Sequence, residues 1–144
     1  MGFGRLGARG VHGSVALAAG LDDRAFEGDR WKTPEEKLER ALKYLTRSQA
    51  GYRAMEASGI TPDVRTLAGW LSQTRTPTKD RQARLEAAYQ TLRRRNMAPN
   101  LTRRLNAGGG TSIEIHPLDQ SEVETRYTRY VPCRYKNIYR WTRL

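Results

Sequence analysis

The chain is poor in the residues that disulfides, metal sites and membrane spans need. Its 144 residues include one cysteine and two histidines. Cys133 alone cannot form an internal disulfide, which favours a reducing cytoplasm as the location of the chain. His12 and His116 lie far apart in the sequence, so they do not suggest a zinc site. No apolar run approaches the ~20 residues that span a bilayer. We therefore predict no metal, no cofactor and no membrane partner.

Catalytic patterns are also missing. The segment "GGGT" at Gly108–Thr111 precedes a strand pattern, whereas a phosphate-binding loop follows a strand and carries a lysine. No nucleophile-elbow pattern is present. The chain is therefore predicted not to be an enzyme.

Acidic residues are in short supply. Asp and Glu number 15 against 26 Lys and Arg, which gives a net charge of +11 and a pI of about 10.4. An excess of this size usually has an anionic partner, and nucleic-acid phosphate is the commonest one. A basic surface that only keeps the protein in solution is the plain alternative. The sequence has no long basic amphipathic helix with a bulky apolar face, so a membrane surface is not favoured.

The first 30 residues predict a flexible arm. "MGFGRLGARGVHGSVALAAG" has an arginine-bearing head and small apolar residues, as an export signal does. Gly10, His12 and Gly13 interrupt its apolar core, so we do not interpret it as such a signal. One loose helix within residues 1–30 is the alternative.

The folded part is predicted to begin with a capped helix. Thr33 as N-cap, Pro34 at the first helical position and Glu36 three residues after the cap form a capping box. The apolar spacing i, i+3, i+4, i+7 then predicts the buried face, which is Leu38, Ala41, Leu42 and Leu45.

Two short helices are predicted next. The first covers about Gln49–Ala57, buries Tyr52 or Met55 and ends at Gly59. The second has Thr61 as N-cap and Pro62 in its first turn. Its inward face is predicted to be Val64, Leu67, Ala68 and Leu71, with Trp70 covering the edge of the core.

A last helix is predicted from Thr78 or Lys79 to the run "RRRNMAPN", where Pro99 blocks its continuation. Its apolar stripe is Leu85, Ala88, Tyr89 and Leu92. Beyond the glycines, Ile113 and Ile115 alternate with polar residues, which predicts a strand. "SEVETRYTRYV" alternates as well, and "CRYKNIYRWTRL" fits a strand or a helix equally well.

The two helices joined through "SGIT" predict a helix-turn-helix, with the second as its recognition helix. The major groove admits one helix, and a thin outer face lets that helix approach the base edges. Thr66 and Gly69 are predicted to make the face thin, and Arg65 offers a fork suited to guanine.

The basic turn after this helix is predicted to meet the DNA backbone. Between Arg75 and Arg104, nine Lys and Arg stand against Asp80 and Glu86, a net charge of +7. A solvated helix face is the plain alternative for such a run. The predicted DNA-binding residues are Thr61, Arg65, Thr66, Gly69, Gln73, Arg75, Lys79, Arg81, Arg93, Arg94 and Arg95.

The predicted fold is therefore α+β. A four-helix helix-turn-helix core over residues 31–105 forms the DNA-binding domain. The flexible arm covers residues 1–30, and residues 106–144 form a small β-rich C-terminal extension.

The stretch from Trp70 to Pro77 resembles bacterial helix-turn-helix regulators, in which a tryptophan closes the recognition helix and a basic turn leads to a proline. It resembles more closely the telomere terminal proteins of actinobacterial linear replicons, which carry a P-basic-K-D…A-R-L-E pattern after the helix-turn-helix. The matching residues are Pro77, Lys79, Asp80, Ala83, Arg84, Leu85 and Glu86, followed by Gly109, Gly110, Ile113 and Glu114. The resemblance covers about residues 50–115. The turn around "SGITPD" is longer than in that family, and the C-terminal segment is richer in tyrosine.

The resemblance implies a bacterial, nucleoid-associated protein whose hydroxyl side chain accepts the first nucleotide of a new DNA strand. An ungapped extension of the match places Thr128 near the expected position, and Tyr127 and Tyr130 flank it. A DNA polymerase, which would supply the chemistry, and a telomere-binding protein are the implied partners. Tyrosines among arginines also suit stacking on single-stranded DNA, or plain packing of a small sheet.

Three functions stay open from the sequence. The chain is a terminal protein that primes or protects the ends of a linear replicon, a helix-turn-helix regulator of a mobile element or phage, or a basic assembly protein that binds nucleic acid without sequence preference. A homodimer is compatible with each of them.

Overall fold

The structure is a computed structural model that describes residues 11–115, 124–127, 134–142 and 144. The described helices are α1 (Gly13–Ala25), α2 (Pro34–Thr46), α3 (Gln49–Ala57), α4 (Val64–Leu71) and α5 (Lys79–Asn106), and the strands are β1 (Thr111–Ile115) and β2 (Arg134–Ile138). The α+β class is confirmed in this coarse form. None of the helices in the described ranges combines the length and apolar character needed to cross a bilayer.

The chain forms two compact units. Residues from Ala25 to Met97 make one, which we call the helical unit; residues before Ala25 and from Ala98 onward make the other, the terminal unit. The predicted division at residues 30 and 105 stays a prediction. α1 occupies part of the predicted arm, in line with the loose-helix alternative.

The capping box of α2 is confirmed. The backbone N–H of Thr33 donates to Glu36 Oε2 at 2.7 Å, and the backbone N–H of Glu36 donates to Thr33 Oγ1 at 3.3 Å. Each bond satisfies an amide that would otherwise lack a partner at the helix start. The predicted stripe faces inward: Ala41, Leu42 and Leu45 are buried, and Leu38 packs against them.

α3 packs tightly against α2 through a glycine. A Cβ at Gly51 would collide with the backbone carbonyl of Leu45, so only glycine allows this approach. Met55 is buried and Tyr52 is exposed, which resolves the two sequence alternatives. Gly59, with φ of 74°, ends the helix as predicted.

The stripe predicted for α5 is confirmed, and all four of its residues are buried. Tyr89 lies at the centre of the core, with its ring 5.2 Å from that of Tyr44. Its hydroxyl donates to Asp29 Oδ2 at 3.2 Å, and the guanidinium of Arg40 lies 4.1 Å above its ring. Arg40 also pairs with Asp29 at 2.8 Å and with Glu86 at 3.1 Å, which ties three parts of the helical unit together.

Pro99 does not end α5, contrary to the sequence prediction. The helix runs through it to Asn106, although a proline inside a helix removes one backbone hydrogen bond at a cost of roughly 3 kcal/mol. Leu101 and Leu105 explain the continuation, because both are buried beyond the proline and their packing offsets that cost. The boundary between the two units falls after Met97, two residues before the proline.

The described part of the terminal unit has a small apolar cluster and a two-stranded sheet. Leu21 and Trp141 pack on the two buried leucines of α5. β1 is confirmed, and it pairs antiparallel with β2 in a register that places Thr111 opposite Ile138. "CRYKNIYRWTRL" is therefore a strand over part of its length. The strand predicted over "SEVETRYTRYV" is wrong where it can be checked, since Thr125–Tyr127 form a 3-10 turn; the rest of that segment lies outside the described residues.

Candidate nucleic-acid interface

The start of α4 differs from the prediction. Asp63, not Thr61, is the N-cap: its Oδ1 accepts the backbone N–H of Thr66 at 2.6 Å, and the helix begins at Val64. A carboxylate accepts a helix-start amide more strongly than a hydroxyl does, because its charge also favours the positive end of the helix dipole. Thr61 and Pro62 therefore precede the helix, and Thr61 is exposed on the connection.

The predicted inward face of α4 is right for Leu67 and wrong for Val64, Ala68 and Leu71. Trp70 is only 5% exposed and belongs to the core with Ile60, and Leu67 packs against them. Val64 is 86% exposed and Leu71 is 41% exposed, so neither anchors the helix. The buried face is rotated by about 100°, one residue step around the helix, because the largest apolar side chain takes the interior position.

Gly69 does not belong to a thin outer face. It is buried beneath Arg75, whose Cδ would lie 2.9 Å from a Cβ at this position. The Gly69 carbonyl accepts the backbone N–H of Arg75 at 3.0 Å and the Thr74 hydroxyl at 3.3 Å. Gly69 thus allows the basic turn to fold back onto the end of α4, and its role in the structure is to set this turn.

The turn itself is held on both sides. Gln73 has φ of 60° and its Nε2 donates to Glu39 Oε2 on α2 at 3.4 Å. Pro77 is buried, and Thr78 Oγ1 accepts the backbone N–H of Arg81 at 3.4 Å at the start of α5. The turn is therefore anchored while Arg75 and Lys79 stay exposed.

Two of the predicted arginines flank the start of α4. The pKa of Asp63 is lowered, chiefly because the backbone N–H and the hydroxyl of Thr66 hydrogen-bond its carboxylate, and further by the positive charges of Arg75 and Arg65. The structure therefore brings Arg65, on α4, and Arg75, in the turn after it, close to the same carboxylate. This grouping is the cationic centre of the candidate interface.

The exposed face of α4 carries Val64, Arg65 and Ala68. The apolar periodicity of the sequence predicts Val64 and Ala68 in the core, so it does not reveal this face. Two signals in the sequence point to this arrangement: Asp63 is the better N-cap, and Trp70 needs burial more than the valine does.

At the start of α5, Lys79 and Arg81 are both exposed. The guanidinium of Arg81 lies 5.8 Å from the ring of Trp70, and Arg84 pairs with Asp80 at 3.0 Å. The first turn of α5 thus adds positive charge directly beside the turn that follows α4.

The run Arg93–Arg95 lies elsewhere. It begins 14 residues after Lys79 on the same helix, which is about 21 Å along the axis. Arg93 Nε donates to the carbonyl of Ala25 at 3.0 Å, and the Arg94 guanidinium lies 5.5 Å from the ring of Phe26. Both therefore pack the chain preceding α2 against α5, and their predicted contact with DNA stays a prediction.

One of the three candidate nucleotide-accepting hydroxyls is described. Tyr127 is 63% exposed, and the guanidinium of Arg126 lies 4.8 Å from its ring. Arg126 Nε also donates to Glu124 Oε2 at 2.6 Å. Thr128 and Tyr130 lie outside the described residues.

Within the part of the chain that the structure describes, no group of three His, Cys, Asp or Glu residues is placed to hold a metal ion. No protein-family model, curated protein or solved structure matches this chain. The geometry of α4 and the turn that follows it therefore carries the functional argument.

Proposed function

We propose that the chain binds duplex DNA through a helix-turn-helix formed by α3 and α4, with α4 in the major groove. The observation that carries this proposal is the outward face of α4, where two short side chains flank Arg65 and a cationic turn follows. The helix has eight residues, and an α-helix with its side chains is about 10–12 Å in diameter. This diameter fits a major groove about 12 Å wide.

The connection between the two helices supports the proposal because it holds α4 rigidly. It runs from Ser58 to Asp63 and is fixed by the positive φ of Gly59, the burial of Ile60 and the cap at Asp63. α2 packs on both α3 and α4. A reading helix needs such support, since base contacts require side chains held in a defined position.

The cationic turn supplies the contacts that position the helix. Arg75 and Lys79 are exposed on either side of the buried Pro77. In this proposal they contact backbone phosphates and Arg65 contacts a base edge, because phosphate contacts position a protein and base contacts specify a sequence.

The proposal is tested by selecting the preferred duplex from a random library and comparing variants on that duplex and on a scrambled one. Arg65→Ala should weaken binding to the preferred duplex by ~1–3 kcal/mol and to the scrambled duplex very little. Lys79→Ala should weaken both equally and reduce the salt slope by about one unit.

Lys136→Ala is the matched control, since it removes one exposed positive charge from β2. It should leave the preference for the selected duplex over the scrambled one unchanged. If Arg65→Ala binds both duplexes as the unaltered chain does, α4 is not the reading helix. If the selection finds no preferred sequence, the chain is a non-specific nucleic-acid-binding protein.

A second candidate function is the priming of DNA synthesis at the ends of a linear replicon. The observation that favours it is Tyr127, an exposed phenol beside the guanidinium of Arg126. In this reaction a hydroxyl oxygen attacks the α-phosphorus of a deoxynucleoside triphosphate. A P–O ester bond forms, pyrophosphate leaves, and the hydroxyl proton passes to a base in the polymerase. The polymerase and its metal ions activate the hydroxyl, so the chain alone has no catalytic activity.

A labelled deoxynucleotide and an extract that contains the polymerase test this second function. One of Tyr127→Phe, Thr128→Ala or Tyr130→Phe should abolish covalent labelling, and Arg126→Ala should reduce it. Tyr139→Phe is the control, because Tyr139 is a comparably exposed tyrosine of the same unit. Absence of label under conditions that label a known terminal protein would leave DNA binding without priming, as in a transcription regulator.

A further inference from the structure

The exposed side of α4 carries three apolar residues beside Arg65. Val64 is 86% exposed, Leu71 is 41% exposed, and Ala68 is also exposed. Val64 and Ala68 are neighbours at i and i+4 on the helix surface. A solvent-facing helix surface normally carries polar or charged residues in these positions.

The first turn of α4 carries two residues that a helix free in water does not favour. Arg65 lies near the positive end of the helix dipole, where the capping carboxylate of Asp63 also lies. Val64 is β-branched, which lowers helix propensity. An apolar contact at Val64 and an anionic partner at Arg65 would stabilise this turn further.

We propose that Val64 and Ala68 read thymine, with their methyl groups against the C5 methyl groups of thymines next to a guanine that Arg65 contacts. This inference rests on the proposed entry of α4 into the major groove. The C5 methyl of thymine is the apolar group that the major groove presents, and the guanidinium fork of arginine matches guanine O6 and N7.

The spacing of the two residues fits this assignment. Four residues of helix advance about 6 Å, which is close to two base steps of ~3.4 Å. The preferred duplex is therefore expected to hold thymines within two steps of each other, beside the guanine.

Charge favours DNA over a protein as the occupant of this face. Arg65 lies on the same face of α4, and Arg75 lies close to the start of that helix, near Asp63. The carboxylate of Asp63 already accepts the backbone N–H of Thr66. Stable protein–protein contacts bury about 800 Å² on each partner. The exposed valine, alanine and part of one leucine cover far less than that area.

Deoxyuridine provides the test, because it differs from thymidine only by the missing C5 methyl. The full chain is titrated with its selected duplex and with versions in which each thymine is replaced singly by deoxyuridine. One or two replacements should weaken binding about fourfold, the effect of losing one buried methyl contact. Val64→Ala should bind the unaltered duplex more weakly and lose the sensitivity at one of these thymines.

Val15→Ala is the matched control, since Val15 is an exposed valine on α1 and its truncation should leave every sensitivity unchanged. Far-ultraviolet circular dichroism of both variants verifies that the helices remain. If no deoxyuridine replacement weakens binding, or if Val64→Ala keeps the full sensitivity, the thymine assignment is wrong. The proposed function would still be supported if the chain prefers the selected duplex over the scrambled one and Arg65→Ala loses that preference. If no preferred duplex exists and Arg65→Ala has no effect, the proposed function fails and this inference fails with it.

Discussion

The two units of the chain differ in the interactions that stabilise each of them internally. In the helical unit, ten buried residues from α2, α3, α4, α5 and the α3–α4 connection form one cluster. In the described part of the terminal unit, only Leu101 and Leu105 are buried, and Leu21 and Trp141 pack on them. The large apolar core of the helical unit fixes several helices at once. In the terminal unit the apolar cluster is small, so individual hydrogen bonds hold most of the described structure in place.

Three hydrogen bonds in the terminal unit connect the end of α5 to the residues that follow it. Asn106 Nδ2 donates to the carbonyl of Trp141 at 3.0 Å, and the Trp141 backbone N–H donates to Asn106 Oδ1 at 2.7 Å. The Thr111 hydroxyl donates to the carbonyl of Leu105 at 2.8 Å. A two-stranded sheet is marginal on its own, so these contacts hold it to the end of α5. A DNA contact of the proposed kind needs side chains in defined positions, and the larger apolar core of the helical unit provides this.

The same substitution in both units gives the largest expected contrast. Gly51→Ala would drive a methyl into the backbone of Leu45 and force α3 away from α2. We expect it to lower the free energy of unfolding of the helical unit by about 3 kcal/mol. Gly110→Ala would press on the backbone of Ile138 at a φ of 108°. It should detach β2 and leave the helical signal nearly unchanged.

Denaturant unfolding followed by circular dichroism measures the first effect, and cross-strand NOEs between Ser112 and Asn137 report the second. Gly13→Ala is the control, because no atom lies within 4 Å of a Cβ there. Equal losses of helical stability in Gly51→Ala and Gly110→Ala would contradict the contrast between the units.

The next largest effect concerns Tyr89 at high pH. Burial raises the pKa of Tyr89 from 10.0 to about 12. Well below pH 10 both the folded and the unfolded chain keep the phenolic proton, so Tyr89 adds no pH dependence to the stability. Between pH 10 and about 12 the unfolded chain loses the proton first, and the free energy of unfolding falls by about 2 kcal/mol. Tyr89→Phe should show a shallower decline over this range, and an identical decline would show that Tyr89 is not the group responsible.

The smallest effect is that of the cap on α4. Asp63→Ala removes the acceptor for the Thr66 amide and should lower Tm by about 4 °C. Because the pKa of Asp63 is lowered in the folded state, its stabilising effect is present above the ordinary value of 3.8 and is lost as pH falls through the folded value. Asp63→Asn keeps a cap without a charge, so its Tm should vary less with pH below 4 than that of the unaltered chain. Equal variation in both proteins would exclude this role for the charge.

The sequence predicts much of the helical unit because its signals are local. The capping box at Thr33 and the stripes of α2 and α5 need only neighbouring residues, and the structure has both. Residues that compete for one role are harder to predict. Thr61 and Asp63 compete for the cap of α4, and Val64 and Trp70 compete for the core.

The path of α5 shows a second reason why prediction fails. Pro99 is a local signal to stop, but Leu101 and Leu105 find apolar partners in residues far away in the sequence. The role of Gly69 likewise depends on Arg75 folding back over it, which no local spacing reveals. The sequence therefore predicts that the turn after α4 is positively charged, but it does not predict which residues of α4 are exposed beside that turn.

If α4 and the turn after it contact DNA as proposed, the backbone amide signals of these residues should shift when the selected duplex is added. Titration of the full chain at constant salt, followed by the amide chemical shifts, measures this. The largest shifts are expected at residues 64–68 and 74–79, with smaller shifts across β1 and β2. Shifts concentrated in residues 98–115 and 134–142, with the signals of α4 unchanged, would show that the contact lies elsewhere.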